Sequence, residues 1–268
     1  MPLMVMPTPS PAANGTWNYD GGGNWSDAAK WSGTTVADGA DFTANFVYNI
    51  HQATAINLDT PRTIGNIVFS DTPADNAFSI GGGSILTLRM TTGIPVVECA
   101  NGWGHSVDVV VAGTNGLIAK SGSLLFTAAN TYSGGTYVSN SWYRVGHNNC
   151  FGVGPVYLRG ASLHVADGTG RTVTNAVFVD SNLMLGYDGS YAGGTLTMNN
   201  VTLTGNRTLT HRGYTTSFPN GIGDGGNGHS LTVAYDNSVT YWYAAAIDWG
   251  ASAGASTYTG RTICNGST

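Results

Sequence analysis

The eight-residue phrase ANTYSGGT at residues 129–136 returns near the end of the chain as ASTYTGRT at residues 255–262. A phrase that returns within one chain is typical of a protein that stacks one small unit. The two copies start 126 residues apart, which predicts about six coils of roughly 21 residues in a solenoid. The second copy begins a unit that is incomplete at Thr268. We therefore expect open strand edges there, and open edges pair readily with other strands.

The composition around this phrase indicates an all-β chain. Charged residues make up 9% of the sequence, against roughly 25% in an average globular protein. There are 39 glycines, and Glu98 is the only glutamate. Good surface helix formers are therefore scarce, whereas β-branched, aromatic and turn residues dominate. We expect almost no helix.

Short strands follow one another from about residue 55 onward. In stretches such as 84–88, 195–198 and 201–204, apolar residues alternate with Thr, Ser or Asn, which predicts strands of about 4–6 residues with one buried face. Such strands could also form a sandwich or a barrel. The threonine-rich outer positions and the repeated phrase favour a parallel β-helix, with Leu, Ile, Val and Phe stacked inside.

We divide the chain into three parts. We expect residues 1–13 to form an extended, proline-rich arm, residues 14–45 a tryptophan-rich cap, and residues 46–268 the β-helix, ending in an incomplete coil. The cap contains Trp17, Trp25 and Trp31. These rings could form a platform for sugars, but closing the open end of an apolar core is their favoured interpretation.

Charge, hydropathy and cysteine spacing exclude several classes of function. The formal net charge is −5 and no Lys/Arg cluster occurs, so we expect no nucleic-acid partner. No apolar run reaches the ~18 residues of a membrane span. Cys99, Cys150 and Cys264 match no metal motif, so we expect no metal and no cofactor. They are interpreted as small buried side chains, with a disulfide as the alternative.

Two groups of residues are candidates for chemistry. A β-helix enzyme acting on polysaccharides needs paired carboxylates or acidic metal ligands. The first group is His164, Asp167, Arg171 and Asp180, and the second is His211, Arg212, Tyr214, Asp224 and His229. We interpret the first as a turn with surface charge and the second as part of a flexible glycine-rich loop. We therefore predict no catalytic residues.

Residues for self-association or ligand contact lie at the ends of the chain. The aromatic group contains Tyr241, Trp242, Tyr243 and Trp249, and not all of these can face the core, because neighbours in a strand point to opposite sides. They contact another subunit or stack on sugar rings. The candidates for end-to-end contact are Leu3, Met4, Val5, Met6, Tyr258 and Ile263. Five Asn-x-Ser/Thr acceptors are interpreted as unmodified: Asn14, Asn24, Asn200, Asn206 and Asn265.

One stretch resembles a known family. Residues 116–126, GLIAKSGSLLF, run into ANTYSGGTYV at residues 129–138. This combination resembles the autotransporter-associated β-strand repeat, although Leu124 stands where that repeat has its second glycine. The resemblance implies a right-handed parallel β-helix that is secreted or displayed on a bacterial surface, with no shared catalytic residues.

Together these observations predict an extracellular structural protein whose β-solenoid associates head to tail with further copies of itself. A surface adhesin or carbohydrate-binding passenger domain is the alternative, and a polysaccharide lyase or hydrolase is the second alternative. The expected partners are the chain itself and surface polysaccharide.

Overall fold

The computed structural model describes residues 11–102, 104–186, 194–236, 247–248 and 256–265. Within these ranges the chain forms 25 strands and two single turns of 3₁₀-helix, Ala28–Lys30 and Ser32–Thr34. No helix in this part of the chain is long and apolar enough to cross a bilayer. The predicted all-β class is confirmed.

The first sheet contains 14 strands, and every ladder in it is parallel. Its main path runs in the order β1 (Gly15–Thr16), β3 (Gly39–Phe46), β5 (Arg62–Ser70), β8 (Val96–Asn101), β11 (Leu117–Lys120), β13 (Thr136–Ser139), β15 (Val156–Arg159), β17 (Arg171–Val179), β19 (Leu196–Leu203), β21 (Thr216–Ser217) and β24 (Ile247–Asp248). Three short strands pair beside this path: β7 (Leu86–Leu88), β10 (Val111–Ala112) and β22 (Ile222–Gly223).

The second sheet contains 11 strands, also in parallel ladders. Its order is β2 (Gly23–Asn24), β4 (Thr54–Asn57), β6 (Phe78–Gly81), β9 (His105–Val107), β12 (Ser123–Phe126), β14 (Trp142–Val145), β16 (Ser162–Val165), β18 (Leu183–Leu185), β20 (Arg207–His211), β23 (Leu231–Tyr235) and β25 (Thr262–Asn265).

The chain visits the two sheets in turn, so each coil adds a strand to both. Thr136 pairs with Val156 in the first sheet, and Trp142 pairs with Ser162 in the second. Both pairings advance the chain by 20 residues. Strands that pair with the equivalent strand of the next coil, in parallel, define a parallel β-solenoid, as predicted.

Rows of apolar side chains fill the space between the sheets. In the second sheet Val107, Phe126, Val145 and Val165 stand in register on successive strands, and all four are buried. Their neighbours in sequence point outward, because side chains alternate along a strand. The predicted stacking of aliphatic and aromatic residues inside the solenoid is confirmed.

The three tryptophans of the cap are inside the protein. Trp17 and Trp25 are fully buried, and Trp31 is 2% exposed. The ring centroids of Trp17 and Trp31 lie 5.3 Å apart in an edge-to-face arrangement, and Trp25 Nε1 donates to the carbonyl of Ala37 at 2.9 Å. No ring face is available to a sugar, so these tryptophans seal the core at this end. β1, β2 and β3 of the same segment already belong to the sheets.

In three central coils the two sheets meet at a corner of two residues. Residues 121–122, 140–141 and 160–161 connect β11 to β12, β13 to β14 and β15 to β16. The first residue of each turn has a positive φ: 59° at Ser121, 46° at Asn140 and 71° at Gly160. This left-handed conformation turns the chain sharply from one sheet into the other, and Asn and Gly adopt it more readily than most residues.

The predicted distance between the two copies of the phrase is wrong. Thr136 begins β13 in the first sheet, whereas Thr262 begins β25 in the second. The second sheet takes five steps from β14 to β25, so the copies lie about five and a half coils apart rather than six.

The phrase specifies a local turn instead of a position in the coil. In the first copy Thr131 donates its N–H to the carbonyl of Val111 at 2.9 Å. In the second copy Thr257 donates to Ile222 in the same way at 3.0 Å. The two copies therefore make the same contact with the preceding coil on different sides of the solenoid.

Candidate functional site

The first group of predicted chemical residues contains one buried histidine and two surface ion pairs. His164 is 3% exposed, and burial, assisted by Arg144 on the neighbouring strand, lowers its pKa to about 3. Asp167 pairs with Arg171 at 2.9 Å, and Asp180 pairs with Arg159 at 3.1 Å. The two carboxylates are thus engaged by different arginines, and the imidazole is neutral at physiological pH.

The second group organises a turn. Asp224 is fully buried and accepts the N–H groups of Gly226 at 2.8 Å and of His229 and Thr259 at 3.0 Å each. These bonds, led by that from Thr259, lower the pKa of Asp224 to about 2. Its carboxylate therefore ties the glycine-rich segment 220–228 to the following coil, where a flexible loop was expected. Within the described ranges no three His, Cys, Asp or Glu residues are grouped to hold a metal ion.

Most of the predicted self-association and aromatic residues lie outside the described part of the chain. Leu3, Met4, Val5 and Met6 lie outside the described residues, as do Tyr241, Trp242, Tyr243 and Trp249. Tyr258 is half-buried against the core and bonds Thr262 through its phenol. Ile263 is 41% exposed in β25.

The strand β25 is the last in its sheet and pairs with β23. Its Cys264 stands in register with Val233, in the row that faces the core in earlier coils. Cys264 is nevertheless exposed. The described end of the solenoid therefore presents a core position to solvent, in contrast to the tryptophan-sealed first coil.

A groove that the sequence analysis did not predict runs along the corner between the sheets. It consists of two adjoining cavities of about 300 Å³ and 250 Å³, and both are lined by Asn140 and Trp142. We call this feature the Trp142 groove. The first cavity reaches back to Asn101 and Ser123, and the second reaches forward to Ser162 and Met184.

The alternation of the strands positions the polar side chains of the Trp142 groove. Trp142, Ser123 and Ser162 are paired in register on β12, β14 and β16. Their neighbours Tyr143 and Leu163 are buried inside the solenoid. All three groove residues therefore stand on the outer face of the second sheet, next to the corner.

The serines of the Trp142 groove are largely covered. Ser123 is 6% exposed and Ser162 is 5% exposed, whereas Trp142 is half-buried. Ser162 Oγ has no hydrogen-bond partner among the described residues. A buried hydroxyl without a partner is uncommon, because it costs about 1–3 kcal/mol.

The sequence carries a weak signal for this groove. Trp142 is followed by an alternating segment, Tyr143-Arg144-Val145, in which either aromatic residue could face inward. Which of the two aromatic side chains faces inward is decided by strand pairing. Tyr143 stands in register with the buried Leu124 and Leu163, so it faces the core and Trp142 faces outward. Comparisons with family models, with curated proteins and with solved structures found no match.

Proposed function

We propose that this chain is an extracellular structural protein, a β-solenoid subunit that associates head to tail with further copies of itself into a filament or surface layer. One observation carries the proposal, namely the difference between the two described ends of the stack. Three buried tryptophans seal the first coil, whereas β25 exposes Cys264 in the core row and Ile263 beside it.

The physical argument concerns the edge of β25. A strand at the edge of a sheet offers unpaired N–H and C=O groups, and another chain can add a strand to them. Contact between two different patches is heterologous, and it propagates into a filament unless it closes into a ring. The low proportion of charged residues, 9%, leaves little electrostatic repulsion between subunits.

A pair of substitutions at one position tests this contact. Cys264→Asp places a charge at the exposed end of the core row, and Cys264→Ser removes the thiol without adding charge. We expect the wild-type chain and Cys264→Ser to form filaments in negative-stain micrographs, and Cys264→Asp to sediment as a monomer. A wild-type chain that stays a monodisperse monomer at high concentration overturns the proposal.

A deletion tests the partner of β25. Removing residues 2–11 deletes Leu3, Met4, Val5 and Met6, which we propose as the strand donated by a neighbouring subunit. We expect the truncated chain to lose filaments while it keeps the thermal unfolding midpoint of the full chain. Filaments that form as readily without these residues exclude the arm as the joint.

The alternative, a surface adhesin or carbohydrate-binding protein, is favoured by the Trp142 groove. The second alternative, a polysaccharide lyase or hydrolase, has less support because Asp167 and Asp180 are paired with different arginines. A depolymerisation assay on acidic polysaccharides tests it. Activity that is lost on replacing His164, Asp167 or Arg171 with Ala would establish an enzyme.

A further inference from the structure

We propose that Tyr137 and Tyr157 form an oxidative cross-linking site, at which a one-electron oxidant joins the two phenol rings through a carbon–carbon bond. The product is a dityrosine that links one coil of the solenoid to the next. This site lies on the outer face of the first sheet, and it does not depend on the end-to-end contact at β25. The proposal rests on the register of the two tyrosines, the geometry of their rings and the access of solvent to their hydroxyl groups.

Strand pairing places the two tyrosines side by side. Tyr137 in β13 and Tyr157 in β15 stand directly opposite each other in a parallel ladder. Their neighbours Val138 and Leu158 are fully buried in the core, and side chains alternate along a strand. Both tyrosines therefore stand on the outer face of the first sheet, in adjacent coils.

The two phenol rings are stacked. Their centroids lie 4.7 Å apart and their planes differ by 9°, so their separation matches the spacing of the strands that carry them. On the other side of Tyr157 the ring of Phe178 stacks at 5.2 Å, and the guanidinium of Arg159 lies 4.5 Å from the centroid of the Tyr137 ring. These contacts keep the two rings together, so a radical formed on one ring has a second phenol within contact distance.

The hydroxyl groups of both tyrosines reach solvent. Tyr137 and Tyr157 are half-buried. Neither phenol oxygen bonds a described residue, and neither belongs to the buried polar atoms that lack a partner in the described part of the chain. Tyr132 and Tyr143, in contrast, are buried, and their phenols form hydrogen bonds inside the core. An oxidant in solution therefore has access to the stacked pair but not to these two buried phenols.

Two one-electron oxidations produce the link. Each phenol gives one electron to the oxidant and releases its hydroxyl proton to water, which leaves a tyrosyl radical. The two rings turn edge to edge, and the radicals couple through the ring carbons beside their oxygens. Each of these carbons then loses its hydrogen as a proton while each oxygen regains one, which restores two phenols. The pair thus loses two electrons and two protons. Hydrogen peroxide in a peroxidase takes them up as two water molecules, and persulfate takes up the two electrons as two sulfate ions.

The cross-link fastens two neighbouring coils. Tyr137 and Tyr157 are 20 residues apart along the chain, so the new bond closes this segment into a loop that persists when the chain unfolds. A closed loop lowers the entropy of the unfolded state and so favours the folded stack. Because each coil of a solenoid contacts only its neighbours, the bond opposes separation of the stack at this point.

Photo-oxidation of the full chain tests the proposal. The oxidant is ruthenium tris-bipyridyl with persulfate under visible light, and the products are separated on a denaturing gel. We expect the monomer band to show the fluorescence of dityrosine. Digestion of that band should yield two peptides joined between Tyr137 and Tyr157, together two hydrogens lighter than the separate peptides. A monomer band without this joined pair overturns the proposal, whether or not cross-linked oligomers also form.

Three variants locate the site. Tyr137→Phe and Tyr157→Phe each keep a ring in the stack but remove one phenol, so the monomer band should lose its dityrosine fluorescence. The thermal unfolding midpoint of both variants before oxidation should stay near that of the wild type. Tyr19→Phe is the matched control, because Tyr19 is 45% exposed and its ring lies against Lys30 rather than against another tyrosine. This variant should keep the cross-link. If the monomer fluorescence persists in Tyr157→Phe, or disappears in Tyr19→Phe, the linked residues are not Tyr137 and Tyr157.

Discussion

The phenol oxygen of Tyr132 lies 2.7 Å from the hydroxyl oxygen of Thr136, inside the core of the solenoid. Thr136 in turn donates its hydroxyl to the carbonyl of Phe151 at 3.0 Å. Tyr258 and Thr262, at the same positions of the second copy of the phrase, make the equivalent hydroxyl contact nearer the surface. The conserved spacing of tyrosine and threonine within the phrase thus closes the same turn twice, in two different sheets.

Replacing the tyrosine of the phrase with phenylalanine should lower the free energy of unfolding more in the buried first copy than in the exposed second copy. Tyr132→Phe removes a hydrogen bond in the core, and we expect it to lower the free energy of unfolding by about 1 kcal/mol. Thr136→Val should cost about 2–3 kcal/mol, because it leaves both the Tyr132 phenol and the Phe151 carbonyl without their partner. Tyr258→Phe should change stability by no more than about 0.5 kcal/mol.

Denaturant unfolding of the three variants measures these differences. The order Thr136→Val, Tyr132→Phe, Tyr258→Phe, from most to least destabilised, is the expected result. An equal loss at Tyr132 and Tyr258 would show that burial does not distinguish the two turns.

The sequence predicted the fold better than it predicted the arrangement of the coils. Alternating apolar residues and the scarcity of helix formers were sufficient to indicate a parallel β-solenoid. The prediction that whole coils separate the two copies of the phrase was wrong. The phrase specifies the hydrogen bond between Tyr132 and Thr136 in a local turn, but it does not specify the sheet in which that turn lies. Loops of unequal length between strands make the coils differ in length, so a distance in sequence does not give the number of coils. The pairing of Ile67 with Val97, for example, advances the chain by 30 residues rather than 20.

Buried histidines predict a loss of stability in mild acid. Burial lowers the pKa of His164 to about 3, and it also lowers the pKa of His105 and His211. His164 therefore stays neutral in the folded chain down to about pH 3, and His105 and His211 take up a proton at a lower pH in the folded chain than in the unfolded chain, where a histidine titrates near pH 6.5. The unfolded state therefore binds more protons, and the free energy of unfolding decreases as the pH falls below about 6.5. Each histidine contributes a slope of at most about 1.4 kcal/mol per pH unit. The contribution of His164 continues down to about pH 3.

Replacing His164 tests its share of this dependence. His164→Gln should flatten the plot of unfolding free energy against pH between about 6.5 and 4 relative to the wild-type chain. Below this range the carboxylate of Asp224, whose pKa is held near 2 by backbone donors, adds a further loss. If the slope of unfolding free energy against pH is the same in His164→Gln as in the wild type, the His164 imidazole is not buried in its neutral form.

The three cysteines should differ sharply in reactivity. Cys99 and Cys150 are buried, and burial raises the pKa of both thiols, that of Cys150 to about 12. Cys264 is exposed. Because the thiolate is the reactive form, we expect one thiol per native chain to react rapidly with Ellman's reagent and all three to react after denaturation.

Cys264→Ser provides the control for this measurement, since it should abolish the rapid phase and leave two thiols that react after unfolding. Rapid reaction of a second thiol in the native wild-type chain would show that Cys99 or Cys150 is accessible. A wild-type chain in which two thiols become unreactive even after denaturation would indicate a disulfide.

The Trp142 groove could not be predicted because it depends on register. The sequence identifies Tyr241, Trp242 and Tyr243 as an aromatic group, and these lie outside the described residues. Trp142 has one aromatic neighbour in sequence, Tyr143, and its partners Ser123 and Ser162 come from the coils before and after it. Only the pairing of strands brings these residues to one surface, so the sequence carries no more than a weak signal for the groove.

The corner turns predict a strong contrast between two glycines. Gly122 has φ 40°, and a Cβ there would lie 2.2 Å from Cys99 Sγ and 2.8 Å from the Cys99 carbonyl oxygen. Gly122→Ala therefore combines an unfavourable backbone conformation with overlap against the preceding coil, and we expect a loss of about 3 kcal/mol. A Cβ at Gly83 would meet nothing within 4 Å, so Gly83→Ala should be neutral or slightly stabilising, within about 0.5 kcal/mol. Thermal and denaturant unfolding of the two variants measures the difference, and a Gly122→Ala chain as stable as Gly83→Ala would exclude the tight corner between Cys99 and Gly122.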